Sequence, residues 1–134
     1  MDHFPHTPPK LTKNQALVMK TLSKTPGPLS AYTILDKLRS NGFRAPLQVY
    51  RALEKLLDYG MVHRLESMNA FVACRHPEGK TQSMVAFTIC GSCGEVTEIS
   101  DDSFDRRLHD LATTTGFSLR KSTVELLGLC NACG

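Results

Sequence analysis

Apolar residues first recur with a helical period along this chain and then switch to alternation, and the switch divides the sequence into two kinds of architecture. Beyond a proline-rich lead-in, MDHFPHTPPK, the residues Gln15, Val18, Met19 and Leu22 fall at i, i+3, i+4 and i+7. That spacing predicts a helix which Thr12 caps and Pro26-Gly27-Pro28 stops. Ser30 is placed to cap a second helix, with Ile34, Leu35 and Leu38 inward and Gly42 just beyond its end. A loop from Gly42 to Ala45 leads to Pro46, a favourable first residue for a third helix. Its buried stripe is Val49, Leu53, Leu56 and Leu57, and Gly60 closes it.

From Met61 the period shortens. Met61 to Leu65 and Ala70 to Cys74 read as two strands around Glu66-Ser67-Met68-Asn69, which makes a hairpin. Three short helices followed by a hairpin form a winged helix-turn-helix over residues 1–75. Residues 76–83, beginning His76-Pro77-Glu78-Gly79-Lys80, have the composition of a hinge. In residues 84–134, Val85 to Ile89 and Glu95 to Ile99 read as strands, and Asp101 and Asp102 favour the start of a helix through Phe104, Leu108 and Leu111. Ser118 to Leu129 reads as one final long strand. The expected fold class is α/β (α+β): a winged-helix domain joined to a small α/β domain.

With 134 residues divided in this way, each half is too small to bury a large core and calls for a staple. No apolar run is long enough to cross a bilayer, and the lead-in lacks the basic and apolar regions of a signal peptide, so a cytoplasmic location is expected. Charge separates the halves further. Residues 1–75 hold 11 Lys/Arg against 5 Asp/Glu, a net +6, whereas residues 76–134 hold 5 against 8, a net −3. A basic module tied to an acidic one suits a protein that meets a polyanion through one half only; the alternative is ordinary variation of surface charge.

The staple is legible in the cysteines. Cys90-Gly91-Ser92-Cys93-Gly94 and Cys130-Asn131-Ala132-Cys133-Gly134 are two knuckles, each at the end of an expected strand. Four thiolates suit a tetrahedral zinc ion, and a glycine after each second cysteine accommodates the tight backbone. Such a site has no open position, so one structural zinc per chain is expected, clamping the second half. The competing readings are redox dithiols or unrelated buried cysteines, but a redox motif would occur once, between a strand and a helix. Cys74 is left over, beside His76 and across the hairpin from His63. These residues suit a second metal site; they equally suit a small buried hydrophobe and a solvated strand residue.

In a helix-turn-helix the second helix of the pair enters the major groove. Here that helix starts at Pro46, and Gln48, Tyr50, Arg51 and Lys55 lie off its apolar stripe with the chemistry to touch bases and phosphates. Arg51 is the leading base reader, while Arg44 in the preceding loop and Arg64 in the wing are placed to meet the DNA backbone. The plainer reading of that helix is a solvated face.

Several segments carry a resemblance: Ser30-Ala31-Tyr32, the run Val49-Tyr50-Arg51-Ala52-Leu53 with Leu56-Leu57, Gly60-Met61-Val62-His63-Arg64-Leu65-Glu66-Ser67, the two knuckles, and Gly128-Leu129-Cys130. Together they resemble the ferric uptake regulator family, and within it the zinc-uptake-regulator branch, over nearly the whole chain. The resemblance implies a homodimer that, when loaded with metal, binds double-stranded DNA at an inverted-repeat operator and represses zinc-uptake genes. It implies that Tyr32 and Arg51 contact bases, Tyr50 the backbone or a base, and that Asp36 and Arg39 pair between neighbouring dimers, allowing two dimers per operator. It also implies a regulatory zinc held by His63, Cys74 and Glu98. The family's usual fourth ligand, a histidine shortly before the first knuckle, has no counterpart from Lys80 to Ala86, which leaves His76 or water to complete the set. Metal held there is expected to fix the reading helices about one DNA turn, roughly 34 Å, apart.

A regulator of this kind is not an enzyme. Three rivals are a regulator of the same fold with structural zinc alone, a small thiol oxidoreductase using Cys74 or a knuckle pair, and a zinc-ribbon interaction module with no DNA role.

Overall fold

Thr12 sets the start of the first helix: its hydroxyl accepts the N–H of Gln15 at 3.2 Å, and the Gln15 side-chain oxygen accepts the N–H of Thr12 at 3.1 Å. This reciprocal capping box satisfies two backbone donors that the helix itself cannot. In the computed structural model, which describes residues 10–74, 84–120 and 122–134, the helix is α1, Lys13–Lys24. It buries Val18 and Leu22, with Leu17 and Met19 packed partly against the core. Ser30 caps α2, Ala31–Leu38, by accepting the N–H of Thr33 at 3.1 Å. A short 3-10 turn, Arg39–Asn41, then ends at Gly42, whose φ of 99° is open to glycine at little cost.

Phe43 in the following loop is buried with the core, where no periodic pattern had placed it. The third helix, α3, runs Pro46–Asp58 and buries Val49, Ala52, Leu53 and Leu56. Leu57 and Tyr50 are half-buried against the same cluster, so Tyr50 is not off the apolar stripe as the spacing suggested. The reason is the phenol's dual character: the ring can cover the core while the hydroxyl stays wet.

The expected hairpin is β1, Val62–Leu65, paired antiparallel with β2, Ala70–Ala73, with Val62 opposite Ala73 and Leu65 opposite Ala70. One further bridge was not foreseen. Leu29 exchanges both backbone hydrogen bonds with Phe71, at 2.9 and 2.8 Å, which ties the hairpin to the segment just before α2. Helices and hairpin together make the first of two units, Met1–Gly79.

The second unit, Lys80–Gly134, is a three-stranded sheet in the order β4-β3-β5 with one helix. The central strand β3, Met84–Cys90, buries Val85, Ala86, Phe87, Ile89 and Cys90. It pairs antiparallel with β4, Val96–Ile99, and parallel with β5, Ser122–Gly128. Parallel neighbours need a long crossover, and the chain between β4 and β5 supplies one containing α4, Asp102–Thr113, capped by Asp101, whose carboxylate accepts the N–H of Phe104 at 3.1 Å. The final strand is shorter than the expected Ser118 to Leu129. Among the described residues, its ladder with β3 opens with Met84 opposite Ser122. The expected hinge, residues 76–83, lies outside the described residues. No helix among those described is long and apolar enough to cross a membrane.

Candidate metal centre and nucleic-acid interface

Because β3 and β5 are parallel and end in register, Cys90 opposite Gly128, both strands deliver the knuckle that follows them to the same end of the sheet. The Gly91 N–H donates to the Gly128 carbonyl at 2.8 Å, joining the two turns at their base. Within the first knuckle the Gly94 N–H closes on the Cys90 carbonyl at 3.0 Å, and within the second the Gly134 N–H closes on the Cys130 carbonyl at 2.8 Å. Gly94 has φ of 81°, the left-handed conformation the motif led us to expect. At Gly134 the demand is different: a Cβ there would approach the Cys130 carbonyl oxygen to 3.2 Å.

The result is a cluster of four sulfurs, Cys90, Cys93, Cys130 and Cys133, all within 4.8 Å of one another. Cys93 and Cys130 stand 3.7 Å apart. A disulfide needs about 2.05 Å, and all four cysteines are free thiols. A tetrahedron with zinc–sulfur bonds of about 2.3 Å has edges of about 3.8 Å, so the spacing suits an ion at the centre. The electrostatics agree with a cation site. Backbone N–H groups of Cys93, Cys130 and Ser92 point at Cys90 and pull its thiol down from 9.0 to about 6. The Cys93 thiol receives a hydrogen bond from the Glu95 backbone that favours its thiolate, but the Cys90 and Cys130 thiols beside it outweigh that and push it up to about 12. Clustered thiols that cannot all ionise together are what a divalent cation resolves.

In the first unit, His63 lies on β1 opposite Val72, and Cys74 follows β2 with its N–H on the Met61 carbonyl at 2.9 Å. Both are half-buried, and their ligand atoms lie within 4.8 Å of each other. In the second unit, Glu98 is half-buried on β4 opposite Phe87. His76 lies outside the described residues.

The exposed face of α3 carries Leu47, Arg51, Glu54, Lys55 and Asp58. Ala45, which precedes the helix, has no side-chain oxygen to cap it. Gln48 does this instead: its carboxamide oxygen accepts the N–H groups of Arg44 and Ala45 at 2.6 and 3.0 Å. Gln48, read from sequence as reaching toward DNA, thus turns its oxygen back to the start of its own helix. Arg44 is exposed in the loop before α3, and Tyr32 in the first turn of α2 is 62% exposed. Arg64 on β1 donates to the Asn69 side chain at 3.2 Å, lies 3.7 Å from Glu66, and sits over the Phe71 ring at 5.9 Å, which orients it along the wing. Asp36 and Arg39 form an exposed pair at 3.1 Å within one turn.

The helix starts differ between the units. The first turns of α1, α2 and α3 contain no acidic residue, whereas that of α4 contains Asp102 and Asp105. Uncompensated helix starts attract phosphate; compensated ones do not. Leu47, one turn before Arg51 and off the buried stripe, is an exposed apolar residue on the same helix.

Comparison with known proteins gives consistent matches. The model of the ferric uptake regulator family matches residues 7–127. The zinc uptake regulation protein of Escherichia coli strain K12 is 40% identical over 125 residues, which are 92% of this chain and 72% of that protein. Among solved structures, a zinc uptake regulator complexed with zinc and DNA is 38% identical with a TM-score of 0.84, covering 92% of this chain and 82% of that one. A crystal structure of holo XcZur is 40% identical with a TM-score of 0.82, covering 92% and 85%.

Proposed function

Because the chain belongs to the ferric uptake regulator family, a family of transcription regulators and not of enzymes, we propose that it is a zinc-responsive repressor of zinc-uptake genes that binds an inverted-repeat operator as a dimer. The observation that carries this reading is the winged-helix unit: a net charge of +6 over residues 1–75, three helix starts free of acid, and a third helix exposing Arg51 and Lys55. The relative solved with zinc and DNA supports both ligands.

Each residue then has a task. Arg51 reads a base, as does Tyr32 in the first turn of α2; Arg44, Lys55 and Arg64 neutralise phosphates; Tyr50 braces α3 on the core and offers its hydroxyl to the backbone or a base. Gln48 holds the start of α3 in shape and keeps its amide nitrogen for DNA. Asp36 and Arg39 exchange their internal pair for pairs with a neighbouring dimer when two dimers share an operator. A second copy covers the apolar side chains that the second unit leaves exposed, Phe104 and Leu111 on α4 and Leu126, Leu127 and Leu129 at the end of the sheet. This work takes place where the chromosome is, in the cytoplasm.

Two zinc ions per chain complete the proposal. Cys90, Cys93, Cys130 and Cys133 hold a structural ion, for which the spacing of their sulfurs is the support. His63 and Cys74 hold a regulatory ion with Glu98 and His76. The half-buried nitrogen and sulfur donors supplied by the first unit suit zinc. Bound zinc supplies cross-links there rather than chemistry, and ligands drawn from distant parts of the chain restrict its conformers. If the metal-free dimer adopted the DNA-matching form about 1% of the time, such restriction would raise operator affinity by up to about 100-fold. The test is fluorescence anisotropy with duplexes selected from random DNA, at graded free zinc. Sequence-specific binding that rises with zinc supports the proposal; binding that ignores zinc leaves a regulator with structural zinc alone.

A further inference from the structure

The start of α3 presents an apolar group where a DNA reader is expected to be polar. Leu47 is 57% exposed, although residues on both sides of it are engaged: Pro46 begins the helix, and the Gln48 oxygen is turned back onto Arg44 and Ala45. Leu47 is not among the side chains packed against the core of this unit. It lies four residues before Arg51, also exposed, so the two share one face of the helix.

The floor of the major groove is almost wholly hydrogen-bonding in character, and its one apolar group is the C5-methyl of thymine. Resting on the proposed reading of α3 as the helix that enters the groove, we infer that Leu47 is a specificity-determining residue which reads a thymine methyl. Four residues of helix advance about 6 Å, and base pairs along one strand rise about 3.4 Å. The thymine therefore lies within about two base pairs of the base that Arg51 reads. Water loses contact with the leucine side chain on binding, which favours thymine over cytosine and over any base lacking that methyl. The absence of acidic residues in the first turn of α3 lets the same turn approach the phosphates without repulsion.

The test uses the zinc-loaded full chain and a duplex it selects from random DNA. Each thymine of the half-site is replaced in turn by deoxyuridine, which removes only the methyl group, and wild type, Leu47→Ala, Leu47→Met and Arg51→Ala are compared. Wild type is expected to lose affinity by about fourfold for each methyl removed at one position. That position lies within two base pairs of the one whose preference disappears in Arg51→Ala. Leu47→Ala should become indifferent to the replacement while keeping the Arg51-dependent preference, and Leu47→Met should retain the sensitivity. An unchanged deoxyuridine profile in Leu47→Ala, or no sensitive thymine near the Arg51 position in wild type, overturns this inference alone. Failure of the wild-type protein to select any duplex overturns the repressor reading with it.

Discussion

Cys93 and Cys130 bring their sulfur atoms to 3.7 Å across a separation of 37 positions. Hydrogen bonding between thiols is too weak to hold such a cluster closed, so its geometry makes sense as one edge of a metal tetrahedron. Binding free energies at sites of this type are on the order of 10 kcal/mol. Stripping the ion with a strong chelator, or the change Cys130→Ser, is expected to loosen the three-stranded sheet and release one zinc per chain. Circular dichroism with elemental analysis would show it. A Cys130→Ser chain with unchanged melting and zinc content would refute the structural assignment.

Cys74→Ser should behave in the opposite way. The hairpin ladder around it is made by backbone groups, including the bond from the Cys74 N–H to Met61, so the fold is expected to survive. Zinc per chain should fall from two to one and zinc-dependent operator binding should vanish. Equal operator affinity for mutant and wild type across zinc concentrations would exclude the proposed regulatory site.

Arginines on the same unit should separate by what they touch. Arg51→Ala is expected to cost about 1–3 kcal/mol of binding and to relax preference at one position of each half-site. Arg44→Ala should weaken binding to all sequences alike and shallow the dependence on salt by about one unit of slope per protomer. Salt titrations on specific and scrambled duplexes distinguish the two patterns.

Zinc uptake by the four-cysteine site should be linked to protons. In the metal-free protein at pH 7, Cys90, at about 6, is mostly thiolate, while Cys93, at about 12, keeps its proton. Binding must expel the Cys93 proton, so affinity rises with pH by about tenfold per unit for each proton displaced. Below pH 6 Cys90 is protonated too, and the dependence steepens. Competition against a chromophoric chelator of known proton affinity measures this; a flat profile would contradict it.

Gln48→Ala is expected to leave the N–H groups of Arg44 and Ala45 without their acceptor and to destabilise the first unit by about 1 kcal/mol. Gln48→Glu, which retains an acceptor, should restore stability in thermal melts, although its charge would oppose DNA.

What could be read in advance was whatever local chemistry decides. Thr12, Ser30 and Asp101 are caps whose oxygens do what their positions announce, and the knuckle spacing reflects a coordination geometry that needs little context. Features that depend on distant partners were less accessible. Phe43 belongs to no periodic stripe, yet the core takes it from a loop. The Leu29–Phe71 bridge joins segments with no shared pattern. Gln48 acts as a cap because of what Ala45 lacks, an absence that a search for reactive side chains overlooks.

The parallel pairing of β3 with β5 also has a consequence in time. Helices and a tight hairpin form from neighbours in the chain, whereas Met84 must find Ser122 across the whole crossover before the second sheet exists. Contacts so far apart close slowly, so the helices and the hairpin should form early, while the Leu29–Phe71 bridge and the second sheet should follow, the sheet when its knuckles meet. A newly made chain would then carry its DNA-reading surface before it could be joined to a second copy, and the supply of zinc would govern the length of that interval.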